Sequence, residues 1–354
     1  SGSGDISFTD SRLVSDMYQF SDRTISADSA SYNLKSISGD GYAFIAEDAN
    51  TVVDFEKNQS RFSLNSEKSL VMFPEVSYIC TMTDFEYDMQ EKILSMTQKG
   101  RESSTLMPAK ELIKQDLNNL EQPTFFSTHM VNDTITFSAT RGRYLVNEEK
   151  VIAEDVNYIK VADALIQPDK GILRINKGAR FDKLNESLIA INNKHLIHSA
   201  QVNIIRTTRY EANGIYDYID ENSEIQPIKF SEIIVDSLRS KGTGYIPQTQ
   251  NFKFNPHFTF QGDVKLRSEN EHLNFLGSSG IVHDCNYIGS SPMKFNADID
   301  PLNIMIPVIE NARDINGNLI TAGTYITIDS THIYSAFLSP GKSWSDIPLV
   351  KASG

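Results

Sequence analysis

Short β-prone runs separated by turn-forming residues recur along almost the whole chain, and this spacing constrains the fold more than any other feature. Within the runs apolar and polar residues alternate, as in strands with one buried face. Turn signals separate the runs at about 8 to 12 residues, which is typical of sandwiches, barrels and solenoids. The runs cover residues 41–46, 51–55, 61–64, 70–73, 135–139, 151–153, 201–206, 258–260 and 325–328. The sequence therefore predicts an all-β protein.

One segment, residues 106–120, departs from this pattern and predicts a helix. Its apolar residues recur at helical spacing. Pro108 suits a first helical turn, Pro123 lies beyond the end, and Ser104 or Thr105 is a candidate N-cap. The apolar positions are Leu106, Leu112, Ile113, Leu117 and Leu120.

Internal repetition is the most informative pattern along the chain. Residues 26–35 (SADSASYNLK) are echoed by residues 138–147 (SATRGRYLVN). A second run with a tyrosine follows each copy, at residues 38–45 and at residues 154–161, and shorter echoes lie at 84–89 with 91–94 and at 9–20. A single hairpin cannot cover its own apolar face, so such units would stack and bury their aromatic rings against the next unit. The alternative is that hairpins of any β protein look alike.

Changes in pattern along the chain divide it into four regions. Residues 1–100 form a β-repeat region, 101–125 a helix-containing insertion, 126–300 a β-repeat or solenoid region, and 301–354 an irregular β end module rich in turn residues. The sequence leaves open whether the third region continues a solenoid or forms a second sandwich. Near the end, Asn316-Gly317 predicts a hairpin with a type I′ turn, which fits better than a calcium loop starting at Asp314.

The repeated units resemble those of the lipopolysaccharide-transport or organic-solvent-tolerance family. The shared pattern is A-x-x-A-x-Y-x-L, a turn, then G-x-x-Y-x-x-I, and it covers about a third of the chain. Gly142 replaces the second alanine of the later unit, and no glycine there corresponds to Gly41. The matching residues are Ala27, Ala30, Tyr32, Leu34, Gly41 and Ile45, then Ala139, Tyr144, Val146 and Val161, and less closely Phe85, Tyr87 and Met89.

This resemblance implies a periplasmic or outer-membrane-associated β-jellyroll that cradles acyl chains between its sheets. The chain also resembles large uncharacterised β-repeat proteins of the Bacteroidetes envelope, especially over residues 158–164 and 283–285. That second group brings no established activity with it.

Charge and hydropathy exclude several protein classes. The chain has 33 basic and 46 acidic residues and a net charge of −13, so it lacks the basic surplus that nucleic acid binding needs. No run approaches the roughly 18 apolar residues of a membrane-spanning helix. The N-terminus has no signal segment, and the Ser-Gly ends lead us to expect a mature form or a segment of a longer chain.

Few residues suggest chemistry. His195 and His198 are three apart, and in a strand such residues face opposite sides, which argues against a shared metal. His283 and Cys285 fit either a Cys-His nucleophile or, preferably, a packed strand with an inward thiol. Cys80 and Cys285 are expected to be unrelated core thiols, although one long-range disulfide is the alternative.

Acidic residues are numerous but show no catalytic spacing. A glycosidase pair is a spatial relation that one sequence does not reveal, and loop acidity explains each instance equally well. A single tryptophan, Trp344, argues mildly against a carbohydrate-stacking platform, although exposed tyrosines could serve. The acidic residues are Glu148, Glu149, Asp217, Asp220, Glu221, Glu269 and Glu271. We therefore assign no catalytic, cofactor-binding or metal-binding residue.

Together these observations predict an elongated, stacked β-repeat protein, β-solenoid or β-jellyroll like, with one short inserted helix near 106–120. The expected function is that of a non-enzymatic envelope or cell-surface scaffold or binding protein, part of a longer chain or complex. Its expected partners are other envelope proteins, glycans or lipids, in the periplasm or at the surface of a Gram-negative bacterium. The alternatives are a lipid- or lipopolysaccharide-carrying β-jellyroll and a carbohydrate-binding or polysaccharide-active β-helix.

Overall fold

The chain folds almost entirely into antiparallel β-structure, with 59% of residues in strands and 4% in helices. The predicted all-β class is therefore confirmed. The computed structural model describes residues 2–39, 41–66, 69–99, 105–129, 134–285, 291–327, 332–338 and 349–353. It forms two compact units, unit 1 (Ser1–Glu211) and unit 2 (Ala212–Gly354). The region boundaries expected near residues 100, 125 and 300 stay predictions.

Unit 1 contains nineteen complete strands among its described residues. They are β1 Gly2–Ser7, β2 Ser11–Phe20, β3 Thr24–Lys35, β4 Tyr42–Asp54, β5 Gln59–Leu64, β6 Val71–Phe73, β7 Tyr78–Cys80, β8 Asp84–Asp88, β9 Ile93–Thr97, β10 Phe125–Ser127, β11 Thr136–Phe137, β12 Arg141–Leu145, β13 Lys150–Glu154, β14 Ile159–Val161, β15 Ala164–Gln167, β16 Leu173–Asn176, β17 Arg180–Phe181, β18 Leu184–Ile191 and β19 His195–Arg206. Short 3₁₀ turns lie at Val146–Glu148 and Asp169–Gly171.

Most strands of unit 1 belong to one of two hydrogen-bonded rows. Along the chain, one pair of strands extends the first row and the next pair extends the second. The N-terminal strands β1 to β4 form a meander, and β4 then pairs with both β5 and β6. One row continues as β5, β8, β9, β12, β13, β16 and β17. The other continues as β6, β7, β10, β11, β14, β15, β18 and β19. These pairings are antiparallel, so the described strands of unit 1 do not form the parallel coils of a β-helix.

Aromatic rings fill the space between the two rows. The rings of Phe62 and Phe85, on neighbouring strands of the first row, stack with centroids 5.0 Å apart. Phe73 of the second row meets Tyr144 of the first, with centroids 5.4 Å apart. All four side chains are buried. The alternation seen in the sequence thus places one face of each row in a shared apolar core.

The aromatic positions of the proposed repeats lie in this core. Tyr32, Tyr87 and Tyr144 are fully buried, each on a strand. The sequence suggested that the run at 154–161 follows β12 as the second strand of its unit. In the structure Tyr144 of β12 pairs with Val151 of β13 instead, and the run at 154–161 ends in the separate strand β14. The repetition itself stays a prediction.

The helix predicted at 106–120 is present but has a single turn, α1 Ala109–Leu112. No side-chain cap is found at its N-terminus, and the candidate cap Ser104 lies outside the described residues. Beyond α1 the chain turns at Asp116, whose Oδ1 accepts the backbone N–H of Asn118. Side chains of β14 and of the turn between β18 and β19 bind carbonyl groups that a longer helix would have used. We call residues 105–123 the strap.

Unit 2 begins within β20 and contains two sheets. Its strands are β20 Arg209–Ile219, β21 Ile225–Asp236, β22 Arg239–Ile246, β23 Lys253–Asn255, β24 Phe258–Arg267, β25 Asn274–Ile281, β26 Met293–Asp298, β27 Thr321–Thr327, β28 Ile333–Leu338 and β29 Leu349–Ser353, with a 3₁₀ turn at Gln248–Gln250. The larger sheet has the order β21-β22-β24-β25-β26, and β23 also pairs with β24. The smaller sheet has the order β28-β27-β29.

The inner face of the larger sheet packs on a second group of aromatic rings. Phe254 and Phe275 meet edge to face with centroids 4.8 Å apart. Phe260 and Phe295 lie 5.7 Å apart in the same arrangement. This packing leaves the opposite, outer face of the sheet to solvent, and the exposed residues of β22 and β24 all project from that side.

The turn predicted at Asn316-Gly317 is present, with a different loop. Arg313 bridges Leu319, and the Asp314 N–H donates to the Asn318 carbonyl at 2.9 Å, leaving three loop residues instead of two. Gly317 has φ 86°, which glycine adopts without strain. Oδ1 of Asp314 accepts the N–H groups of Asn316 and Asn318, and these bonds favour the wider loop.

In the part of the chain that the structure describes, no helix has the length and apolar character needed to cross a membrane.

Candidate functional site

The outer face of the larger sheet of unit 2 holds an open groove of about 580 Å³. We call it the outer-face groove. It runs across β22, β24, β25 and β26 and ends beside the turn at Ile315. Its lining residues are Tyr245, Gln248, Gln261, Gly262, Leu276, Gly277, Ser278, Lys294, Phe295, Asn296 and Ile315.

Strand register arranges the outward side chains in two rows across the sheet. In the first row Tyr245 is opposite Asp263, Asp263 opposite Leu276, and Leu276 opposite Asn296. In the second, polar row, Gln261 is opposite Ser278 and Ser278 opposite Lys294. The first row crosses three strand spacings, about 14 Å, and the rows lie two residues apart along the strands, about 7 Å.

A pair of glycines forms the floor between the rows. Gly262 and Gly277 are opposite each other in the register. A Cβ atom on Gly277 would lie 2.1 Å from the carbonyl oxygen of Gln261, and one on Gly262 would lie 2.6 Å from the Gly277 Cα. Only glycine allows the two backbones to approach this closely, and Gly262 also has φ +142°. The floor of the groove is therefore bare main chain.

Apolar side chains are exposed along the groove. The side chain of Tyr245 is 61% exposed, that of Leu276 37% and that of Ile315 47%. The Asp314 turn fixes the backbone on either side of Ile315. Burial raises the pKa of Asp314, but hydrogen bonds from Asn318 and Asn316 outweigh this and hold that pKa below its ordinary value. Asp314 thus remains a charged acceptor that keeps the turn in place at neutral pH.

The groove can bind and orient a ligand, but it lacks the usual groups for covalent chemistry. Lys294 is the one lining side chain that carries a charge at neutral pH. Asp263 is the one carboxylate in either row. Glycoside hydrolysis commonly needs two carboxylates about 5 to 10 Å apart. A ring face beside amide, hydroxyl and ammonium groups suits recognition of a flat molecule with many hydroxyl groups.

From the sequence, residues 126–300 are assigned only to a solenoid or a second sandwich, and the groove is not predicted. Alternation around Tyr245 was the available signal, because Gly244 and Ile246 are buried and Tyr245 must then face outward. Nothing local connects Tyr245 with Leu276 and Lys294, which meet only through the strand register.

The histidine and cysteine candidates do not come together as a site. His195 is buried on β19 and His198 is on its opposite, partly exposed side, as expected for a strand. Cys285 packs against Tyr325 and Leu338 in an apolar cluster. The chain leaves β25 at Ile281, so the stretch 283–285 is not the packed strand we expected. Among the described residues no hydrogen bond joins His283 to Cys285, and the His283 ring faces Tyr334 instead.

Both cysteines are buried free thiols, one in each unit. The expectation of two unrelated core thiols is therefore confirmed. Burial raises the pKa of the Cys80 thiol to about 12. Trp344 lies outside the described residues.

A close cluster involving a sequence-noted acid lies in unit 1. Glu149 is buried and shares the Ser36 hydroxyl with Glu75, at Oγ–Oε1 distances of 2.9 and 3.0 Å. Lys177 Nζ lies 2.7 Å from Glu75 and 3.6 Å from Glu149. Burial raises the pKa of Glu149, but Ser38, Ser36 and Lys177 outweigh it and lower that pKa overall. Glu149 therefore lacks the raised pKa of a general acid.

Within the described ranges, no three His, Cys, Asp or Glu side chains are grouped closely enough to hold a metal ion. No family model, curated protein or solved structure matches the chain.

Proposed function

We propose that this chain is a non-enzymatic glycan-binding protein whose ligand site is the outer-face groove. The observation that carries the proposal is the exposed ring of Tyr245 beside a row of amide, hydroxyl and ammonium groups. One face of a sugar ring presents C–H bonds of slight positive charge, which the negative face of an aromatic ring attracts. Its equatorial hydroxyl groups both donate and accept hydrogen bonds at the ring edge.

The two rows match these needs in position as well as in type. Tyr245 and Leu276, two strand spacings or about 10 Å apart, offer ring-sized apolar contacts. Gln261, Ser278 and Asn296 supply donors and acceptors about 7 Å to the side or at the row's end. The bare glycine floor lets a chain lie close to the sheet across several strands. An extended oligosaccharide fits this surface better than a compact molecule.

A binding role is favoured over hydrolysis by the acid groups of the groove. Asp263 is a single carboxylate, and the nearest groove cation, Lys294, lies in the other row and on a different strand. General acid catalysis with an attacking water or nucleophile would require a second carboxylate. The proposed protein therefore holds its ligand without cleaving it.

The scaffold role and the envelope location are part of the same proposal. The antiparallel strand pairs of unit 1 and the resemblance to lipopolysaccharide-transport repeats are what supports this location. Acyl chains would need open space between the rows, whereas stacked rings such as Phe62 and Phe85 occupy it. We therefore favour a periplasmic or cell-surface scaffold that presents a glycan site, with lipid transport as the less supported alternative.

Binding of the full chain to a glycan array tests the proposal. We expect the wild type to bind a subset of oligosaccharides, Tyr245→Phe to bind equally well, and Tyr245→Ala to bind at least about tenfold more weakly, a loss of about 1.4 kcal/mol. Ile225→Ala is the matched control, because Ile225 is equally exposed on β21 and lies outside the groove. Absence of glycan binding by the wild type, or equal losses in Tyr245→Ala and Ile225→Ala, would contradict the proposal.

A further inference from the structure

We infer that the outer-face groove selects glycans with carboxylate groups, a class exemplified by chains of uronic acids; this inference rests on the proposed glycan-binding function. The groove lining contains one residue that is charged at neutral pH, the cation Lys294. A binding site lined by neutral amides and one ammonium group gains most from a ligand that combines hydroxyl groups with negative charge.

Charge on the surrounding face supports this selection. The whole chain carries −13, yet the outer face of β22, β24, β25 and β26 has more basic than acidic side chains. Its outward basic residues are Arg239, Lys241, Lys265, Arg267 and Lys294, and its outward acidic residues are Asp263 and Asp298. A basic face on an acidic protein attracts anionic ligands preferentially to that face.

Some of these charged groups already have partners within the protein. The cations that have no ion pair remain for a ligand. Lys241 pairs with Asp236 of the adjacent strand at 2.5 Å. Asp298 accepts hydrogen bonds from Asn270 and Asn274. No ion pair is found within the described structure for the other four cations, Arg239, Lys265, Arg267 and Lys294, and of these four only Lys294 lines the groove.

The position of Lys294 specifies where the carboxylate binds. Its backbone N–H donates to the Arg313 carbonyl at 2.9 Å, which fixes β26 beside the turn at that end of the groove. Asp263 is two strands and one row away, about 12 Å, so it does not neutralise the ammonium group. A sugar stacked on Leu276 would direct a ring-edge carboxylate to Lys294, while Asp263 would accept hydroxyl groups near Tyr245.

A pair of matched ligands tests this inference. Polygalacturonate and its highly methyl-esterified form share one sugar backbone and differ mainly in charge. We expect the wild-type chain to bind polygalacturonate at least about tenfold more tightly at low salt, about 1.4 kcal/mol, and the difference to shrink as salt is added. Lys294→Gln should lose most of this preference and keep its binding to the methyl ester.

Lys265→Gln is the control, because it removes one positive charge from the same face outside the groove. We expect it to retain the preference for polygalacturonate. Equal binding of both polymers by the wild type, or equal losses of preference in Lys294→Gln and Lys265→Gln, would overturn the inference. Preferential binding of neutral glycans on the array would also overturn it while leaving the proposed glycan-binding function intact. Failure to bind any glycan would overturn both.

Discussion

At the scale of single residues, Glu149 shows how this fold uses a charge inside a β-protein. Its backbone adopts φ 49°, directly after a 3₁₀ turn, and this directs the carboxylate towards Ser36 and Lys177. These contacts join segments that are far apart in the sequence. In the sequence, Glu148 and Glu149 are an acidic pair expected on a loop. In the structure only Glu149 is buried, so two neighbouring residues of the same charge have different roles.

The free energy of unfolding of unit 1 should therefore depend on pH through the ionisation of Glu149. Because its pKa in the folded state is lowered, its contribution to the free energy of unfolding is present above its ordinary value of 4.5 and is lost as the pH falls through the folded-state pKa. We expect Glu149→Gln to cost about 1 to 3 kcal/mol at neutral pH. The difference in the free energy of unfolding between Glu149→Gln and the wild type should narrow at acidic pH. Urea unfolding at neutral pH and at acidic pH measures this difference.

Glu148→Gln is the control for this prediction. Its side chain is 58% exposed and lies 3.7 Å from Lys150, so we expect a change within about 0.5 kcal/mol. If the two variants showed the same pH dependence as each other, the buried contacts of Glu149 would not be the cause.

At the scale of elements, the strap shows tertiary contacts overriding a helical pattern. Asn193 Nδ2 donates to the carbonyls of Ile113 and Gln115 at 2.9 and 2.6 Å, and Lys160 donates to that of Leu117 at 2.8 Å. Leu112 is buried against Leu165 and Ala190 of the sheet below. The apolar residues that predicted a long helix do bury one face. Beyond Ile113, however, the backbone makes only short turns, and side chains of Asn193 and Lys160 bind carbonyl groups that a longer helix would have used.

Removing Asn193 should loosen the strap without unfolding the sheet. Asn193→Ala removes two hydrogen bonds, and we expect the local opening free energy of the strap to fall by about 1 to 2 kcal/mol. Hydrogen exchange of the amides in 105–123 should accelerate, and proteolysis in this segment should increase, while exchange in β18 stays slow.

Asn185→Ala provides the comparison, because Asn185 is an exposed asparagine on β18, away from the strap. Unchanged exchange of the strap in Asn193→Ala, or equal acceleration in both variants, would show that the apolar contacts of Leu112 hold the strap alone.

At the scale of the whole molecule, each compact unit has its own aromatic core and its own buried thiol. Cys80 lies on β7 in unit 1 and Cys285 in an apolar cluster of unit 2. The thiolate is the reactive form of cysteine, so burial, which raises the pKa of Cys80, protects it while unit 1 is folded. The two thiols can therefore report on the two units separately.

We expect two unfolding transitions, one for each unit. In Cys285→Ala, labelling of Cys80 during a denaturant titration should follow the unfolding of unit 1, and in Cys80→Ala, labelling of Cys285 should follow that of unit 2. The labelling midpoints should differ, and neither thiol should react in native buffer. Circular dichroism of both variants, compared with wild type, checks that the substitutions leave the fold intact. Coincident midpoints would show that the chain unfolds as one cooperative body.

The sequence by itself determined the all-β class, the short helix and the turn near Asn316, because alternation, helical spacing and turn preferences act over a few neighbouring residues. It also correctly set His195 and His198 on opposite sides of a strand. Tertiary structure alone decided the length of α1, because distant side chains bind the carbonyl groups of the residues that follow it. It alone decided the outer-face groove as well, because Tyr245, Leu276 and Lys294 meet through the register of strands that no local pattern specifies.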